Sequence, residues 1–103
     1  MNIQKMMKEA QRMQERMAET QTELASRSIE CSTSGGRIKV TATGAGDITA
    51  IKIDPAIVDP QDVELLEDMI LTGVRQALEE ARQVAGDEMG KLTGGLKIPG
   101  LSL

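Results

Sequence analysis

Hydrophobic positions along the chain change period twice, from helical spacing to alternation and back, and turn residues divide the alternating part into strands. Residues 2–27 hold Ile3, Ala10, Met17 and Leu24 every seven residues, with Met6, Met13 and Thr20 interleaved. No Gly or Pro interrupts them, so the spacing predicts one helix with a narrow seam of the coiled-coil kind. From Ser28 to Ser34 the period drops to two, with Ile29, Cys31 and Thr33 on one side. Gly35-Gly36 follows, a hairpin signal because both glycines tolerate positive φ. Arg37–Thr43 alternates again, with Ile38, Val40 and Ala42 inward and Arg37, Lys39 and Thr41 outward. After the turn Gly44-Ala45-Gly46-Asp47, Ile48–Ile53 makes a third strand with Ile51 and Ile53 facing in. Short turns between consecutive strands imply an antiparallel meander with one solvated face.

Asp54-Pro55 ends the sheet. Asp59 is the expected N-cap and Pro60 the first residue of a second helix that runs to about Leu92. Its inward positions are Leu66, Ile70, Val74, Ala77, Ala81 and Ala85. The architecture is therefore α+β, a two-layer α-β-β-β-α arrangement with two long flanking helices. Residues 1–92 read as a single domain. Residues 93–103 read as an irregular apolar tail containing Gly and Pro. Helices of about 26 and 33 residues reach about 40 and 50 Å, whereas strands of about six residues cover about 20 Å. Both helices must overhang the sheet, and a dimer would supply the missing cover.

Composition narrows the chemistry. The chain of 103 residues has no Phe, Tyr, Trp or His, so aliphatic residues and methionine must fill the core. The usual general base and the usual metal ligand are both missing, and so are aromatic platforms for single-stranded nucleic acid. No metal or cofactor is expected, and no nucleophile–base pair points to an enzyme. A lone Cys31 suits a reducing compartment and is most simply a small core residue. The amino terminus lacks the apolar core of a signal peptide, and no apolar run is long enough for a membrane span. A cytoplasmic protein without membrane attachment is the expectation. An amphipathic membrane-surface helix over residues 2–17 is disfavoured by the lack of aromatic anchors.

Charge then singles out the first helix. The formal net charge is −4, yet QKMMKEAQRMQERM (residues 4–17) carries four cations among four methionines. Lys5, Lys8, Arg12 and Arg16 fall within about 80° on a helical wheel, on a different face from the Ile3, Met6, Ala10, Met13, Met17 and Leu24 seam. That seam suits packing or dimerisation. Cations at a helix N-terminus oppose the macrodipole, which favours a binding role over a stabilising one. Pairing with Glu9, Glu15 and Glu19 at i,i+3 and i,i+4 spacings is the plainer alternative. Arg37 and Lys39 on the outward sheet face, with Lys52 beyond them, are candidates for an additional basic surface. The acidic residues Asp59, Asp62, Glu64, Glu67 and Asp68 lack calcium-loop spacing and match the dipole of the second helix.

The order of a Met/Lys/Gln-rich helix, GGRIKVTATGAGDITAIKID, DVELLEDMI with a long Ala-rich helix, then MGKLTGGLKIPGL resembles the YbaB/EbfC family of bacterial nucleoid-associated proteins. The resemblance spans nearly the whole chain. It implies a tweezer-like homodimer that binds double-stranded DNA without enzymatic activity, in nucleoid organisation or gene regulation. Lys5, Lys8, Arg12 and Arg16 are the phosphate contacts expected from the basic strip, with little base readout. A different class of function also fits: an adaptor that docks replication or recombination-repair proteins through the Met-rich helix and the tail.

Overall fold

The computed structural model describes residues 2–93. Helix α1 (Ile3–Ser26) is followed by strands β1 (Ser28–Thr33), β2 (Ile38–Thr43) and β3 (Ile48–Ile53), and then by helix α2 (Val63–Thr93). The strands form one antiparallel sheet in the order β1-β2-β3. This is the α+β arrangement expected from the pattern. The apolar tail from residue 94 onward lies outside the described residues.

The core lies where period-two and period-3.6 patterns meet. Cys31 of β1, Ile38, Val40 and Ala42 of β2, and Ala77 and Ala81 of α2 bury one another, flanked by Ile29, Ile53, Leu66, Ile70 and Val74. Small residues let α2 sit close to the strands. At Gly73 an added Cβ would lie 3.1 Å from methyls of both Ile38 and Val40. That glycine carries no hydrophobic signal, and its place among the inward positions is visible only once the layers are stacked.

Three local expectations are corrected. The hairpin between β1 and β2 is wider than Gly35-Gly36. Ser34, Gly35 and Gly36 all take positive φ (54°, 68° and 86°), and Arg37 is right-handed helical at the end of the turn. Arg37 is thus a turn residue, not a strand residue, and its carbonyl accepts from the Asp54 amide at 2.8 Å. Helix α2 starts at Val63 instead of Pro60. The Asp59 side chain accepts from the Gln61 amide at 2.9 Å in a local turn, and Asp62 accepts from Leu65 N–H at 3.3 Å as the true cap.

The third correction concerns β3. A bulge leaves Thr49 unpaired, so Ile48 stands opposite Ala42 and Ile51 opposite Val40 on the helix-facing side. Ile53 is half-buried there, but Ile51 is 42% and Ile48 36% exposed. Helix α2 packs chiefly over β1 and β2 and covers β3 only at its Ile53 end. Gln76 reaches Cys31 of β1 at 3.7 Å, so the opposite flank of α2, with Leu71 and Leu78, turns toward β3. Leu71 is 46% exposed. Ile48 and Ile51 of β3 and Leu71 of this flank are the exposed apolar residues on that side.

Helix α1 stands clear of the layers along most of its length. Its one buried residue is Leu24, wedged against Gly44 so closely that an added Cβ there would lie 2.7 Å from the Leu24 carbonyl oxygen. The molecule measures 71 × 27 × 17 Å with a radius of gyration of 19.6 Å. A compact chain of about 100 residues would have a radius near 13 Å. The sequence-based expectation that the helices overhang the sheet holds, and α1 forms an arm.

Candidate nucleic-acid interface

The arm forms because residues 3–26 have good helix formers at nearly every position and Asn2 caps them, its side chain accepting from Lys5 N–H at 3.2 Å. The first turn holds no acid. Helix α2 follows the macrodipole instead, with Glu64 in its first turn and Lys91 in its last. Polarity at the start of α1 therefore runs against local stability.

Lys5, Lys8, Arg12 and Arg16 are all exposed along this arm. The carboxylates spaced to neutralise them do not close. Among the described residues the ion pairs join Arg27 to Glu23 and Glu88, Arg82 to Glu79, and Lys91 to Glu88. None involves the four arm cations, although Glu9, Glu15 and Glu19 share their helix. Four positive charges stay hydrated on one strip and remain available to an external anion.

The apolar seam is mostly uncovered. Ile3 is 66%, Met6 57% and Met17 40% exposed, Ala10 is exposed, Met13 is half-buried, and Leu24 alone is buried. Met6, Ala10 and Met13 line a groove of about 550 Å³ that Leu92 of α2 closes from one side. Arg12 and Arg16 also line it, beside Glu9. The separation expected between cations and seam is thus corrected: these two arginines border the methionines, and only Lys5 and Lys8 stand clear of the groove. Arginine stems lying along apolar surface while their guanidinium groups stay in water account for this placement.

Arg37 and Lys39 do not join the arm. Lys39 is exposed on β2 and Arg37 on the adjoining turn. They belong to the sheet, and the candidate surface is divided between two parts of the molecule.

At the base of the arm lies a cluster that sequence reasoning missed. Arg27 Nε donates to Glu23 Oε1 at 2.9 Å, and its guanidinium stands 3.6 Å from Glu88, which also accepts from Lys91 at 3.0 Å. The Glu23 bond raises the Arg27 pKa above its ordinary value. The Lys91 bond, helped by Arg27, holds the Glu88 carboxyl below its ordinary value against a smaller opposing effect of desolvation. The spacing of Glu23 and Arg27 could have revealed the first pair, but Arg27 and Glu88 are 61 positions apart. This cluster ties α1 to α2 at a point where Arg27 is already neutralised.

Cys31 is buried, and burial together with the nearby Glu80 pushes its thiol pKa up. It is a packing residue with little thiolate at neutral pH. Among the described residues no three His, Cys, Asp or Glu side chains gather as a metal site, and no helix is long and apolar enough to cross a membrane.

Comparison with known proteins agrees with this geometry. A family model described as the YbaB/EbfC DNA-binding family matches residues 1–96. A nucleoid-associated protein of Pelotomaculum thermopropionicum is 50% identical over 100 residues, covering 97% of this chain and 95% of that protein. Another from Moorella thermoacetica is 48% identical over 99 residues, covering 96% and 95%. A crystal structure of an uncharacterized Helicobacter pylori protein shares the fold with a TM-score of 0.79 at 13% identity, covering 91% of this chain and 99% of that one. With an overhanging basic arm on an α-β-β-β-α frame, and a family match over nearly its whole length, the chain belongs to the YbaB/EbfC DNA-binding family, a non-enzymatic, nucleoid-associated group.

Proposed function

We propose that the protein binds double-stranded DNA as a homodimer, through phosphate contacts from Lys5, Lys8, Arg12 and Arg16 on two projecting α1 arms, and contributes in the nucleoid to its organisation or to gene regulation. The observation that carries this reading is the unneutralised strip itself. Four exposed cations, without a carboxylate partner among the described residues and on a projecting arm, have no evident use within the chain. Dimerisation is supported by the bare side formed by Ile48, Ile51 and Leu71, where a second copy would cover what α2 leaves open. Two copies turn four cations into eight.

Phosphate contact without base contact makes binding steeply salt-dependent and tolerant of sequence. With about six phosphates neutralised, affinity falls roughly 10³-fold between about 50 and 200 mM salt. The test is the double reversal Lys8→Glu/Arg12→Glu in the full chain. Loss of the duplex gel shift with unchanged sedimentation supports the reading, and retained affinity overturns it. Ile51→Asp should separate the dimer into folded single chains, read by sedimentation.

One observation favours a second reading, an adaptor for replication or recombination-repair proteins. The Met6–Met13–Leu92 groove is an apolar concavity larger than phosphate contact requires. Partner capture that depends on Met13 but survives the double charge reversal would select it.

A further inference from the structure

The solvent face of the sheet holds a charge arrangement that strand pairing alone does not favour. Lys39 of β2 stands directly opposite Lys52 of β3 in the antiparallel register, and Ser32 of β1 stands opposite Lys39 on the other side. Residues facing one another across strands share a face, with Cβ atoms about 5 Å apart, and like charges so placed destabilise the pair. Both lysines are exposed, and neither makes an ion pair among the described residues. Glu30 lies one row away opposite Thr41, yet it closes on neither lysine. Asp54, just beyond β3, spends its side chain accepting from Ala56 N–H at 2.9 Å. Edge protection by lysine would explain Lys52 on an outer strand but not Lys39 on the central one.

We infer that this face is a second phosphate-contact surface, on which Lys39 and Lys52 take backbone phosphates of double-stranded DNA independently of the α1 arms. The inference rests on the DNA-binding reading above. Lys39 and Lys52 project from neighbouring strands on long stems, so two ammonium groups can follow two phosphates of one backbone. The Ser32 and Thr41 hydroxyls on the same face are short donors of the kind that complete such contacts. Arg37, exposed in the turn at the end of β2, extends the positive charge along the same edge. The acidic start of α2 lies in the other layer, behind the sheet. A bound phosphate row would also relieve the Lys39–Lys52 repulsion, so charge that is unfavourable in the free protein becomes complementary in the complex.

The experiment compares Lys39→Gln/Lys52→Gln with Lys8→Glu/Arg12→Glu in the full-length protein. Duplex DNA affinity is followed by fluorescence anisotropy across a salt series, with a thermal melt of each variant. Loss of the two sheet contacts should weaken binding roughly tenfold per contact at about 0.1 M salt. It should also flatten the slope of log affinity against log salt by about 1.8 for each protomer. The sheet variant should melt no lower than the parent, since a repulsion has been removed, so the loss cannot be assigned to unfolding. Lys39→Arg/Lys52→Arg should restore the parent slope. An unchanged affinity and slope in the sheet variant, with binding lost in the arm variant, overturns this inference and leaves the proposed function standing. Absence of salt-dependent duplex binding by the parent protein overturns both.

Discussion

Strand β2 and helix α1 each align their apolar residues on one face but are put to opposite uses. In β2 the apolar side chains of Ile38, Val40 and Ala42 have no exposure at all, and its single cation faces water. In α1 the apolar seam itself is exposed, and only Leu24 finds a buried place. Hydrophobic spacing therefore reports which residues share a face, not whether anything covers it. Stability is concentrated in the sheet with the first half of α2, while the four-cation strip is held on an arm that contributes little to it.

The largest test of that division is a pair of truncations. Ile38→Ala should lower unfolding free energy by about 2–5 kcal/mol, because a fully buried side chain leaves a cavity. Met6→Ala should change it by less than about 0.5 kcal/mol, since the thioether is already in water. Urea unfolding of both variants gives the answer. Comparable losses would mean that the arm is part of the stable unit and would erase the contrast.

A second pair examines the joint between the regions. Gly44→Ala should cost about 1–3 kcal/mol, because the new methyl meets a backbone oxygen that cannot rotate away. Gly86→Ala, where an added Cβ meets nothing within 4 Å, should stabilise α2 by up to about 1 kcal/mol. Thermal melts of the two should move in opposite directions.

The smallest effect belongs to the cluster at the base of the arm. The Glu88 carboxyl is held below its ordinary value chiefly by Lys91. Its contribution is complete above the unfolded-state pKa of about 4.3 and is lost as pH falls through the lower folded value. Glu88→Gln should therefore narrow the loss of melting temperature between neutral pH and pH 3 relative to the parent. An identical pH dependence in the two proteins would show that the Arg27–Glu88–Lys91 contacts add nothing in solution.

Much of the frame was legible in the residues because backbone period and side-chain face are coupled. Ile38, Val40 and Ala42 could point only one way, and the glycines around 35 and 44–46 could only separate strands. Two local readings failed for one reason: several polar residues compete for the same role. Asp59-Pro60 looks like a helix start, yet Asp59 satisfies a turn amide first and leaves the cap to Asp62. Ser34 joins the glycines in positive φ and draws Arg37 out of its strand. The bare flank of β3 could not be read at all, since alternation assigns Ile51 to the apolar face without saying how far α2 extends over it. In the basic strip, spacing placed the four cations together. Whether the carboxylates at i,i+3 and i,i+4 would close on them depended on side-chain conformations that spacing does not determine.

Leu24 against Gly44 is also a fulcrum. A rigid rod of about 24 residues, about 36 Å long, seated by its inner end sweeps its far end through about 6 Å for every 10° of tilt. That travel is comparable to the width of a minor groove, about 6 Å. In the homodimer proposed above, the gap between two such rods would depend on how Leu24 is seated, and a methyl added to the socket at Gly44 would alter that span.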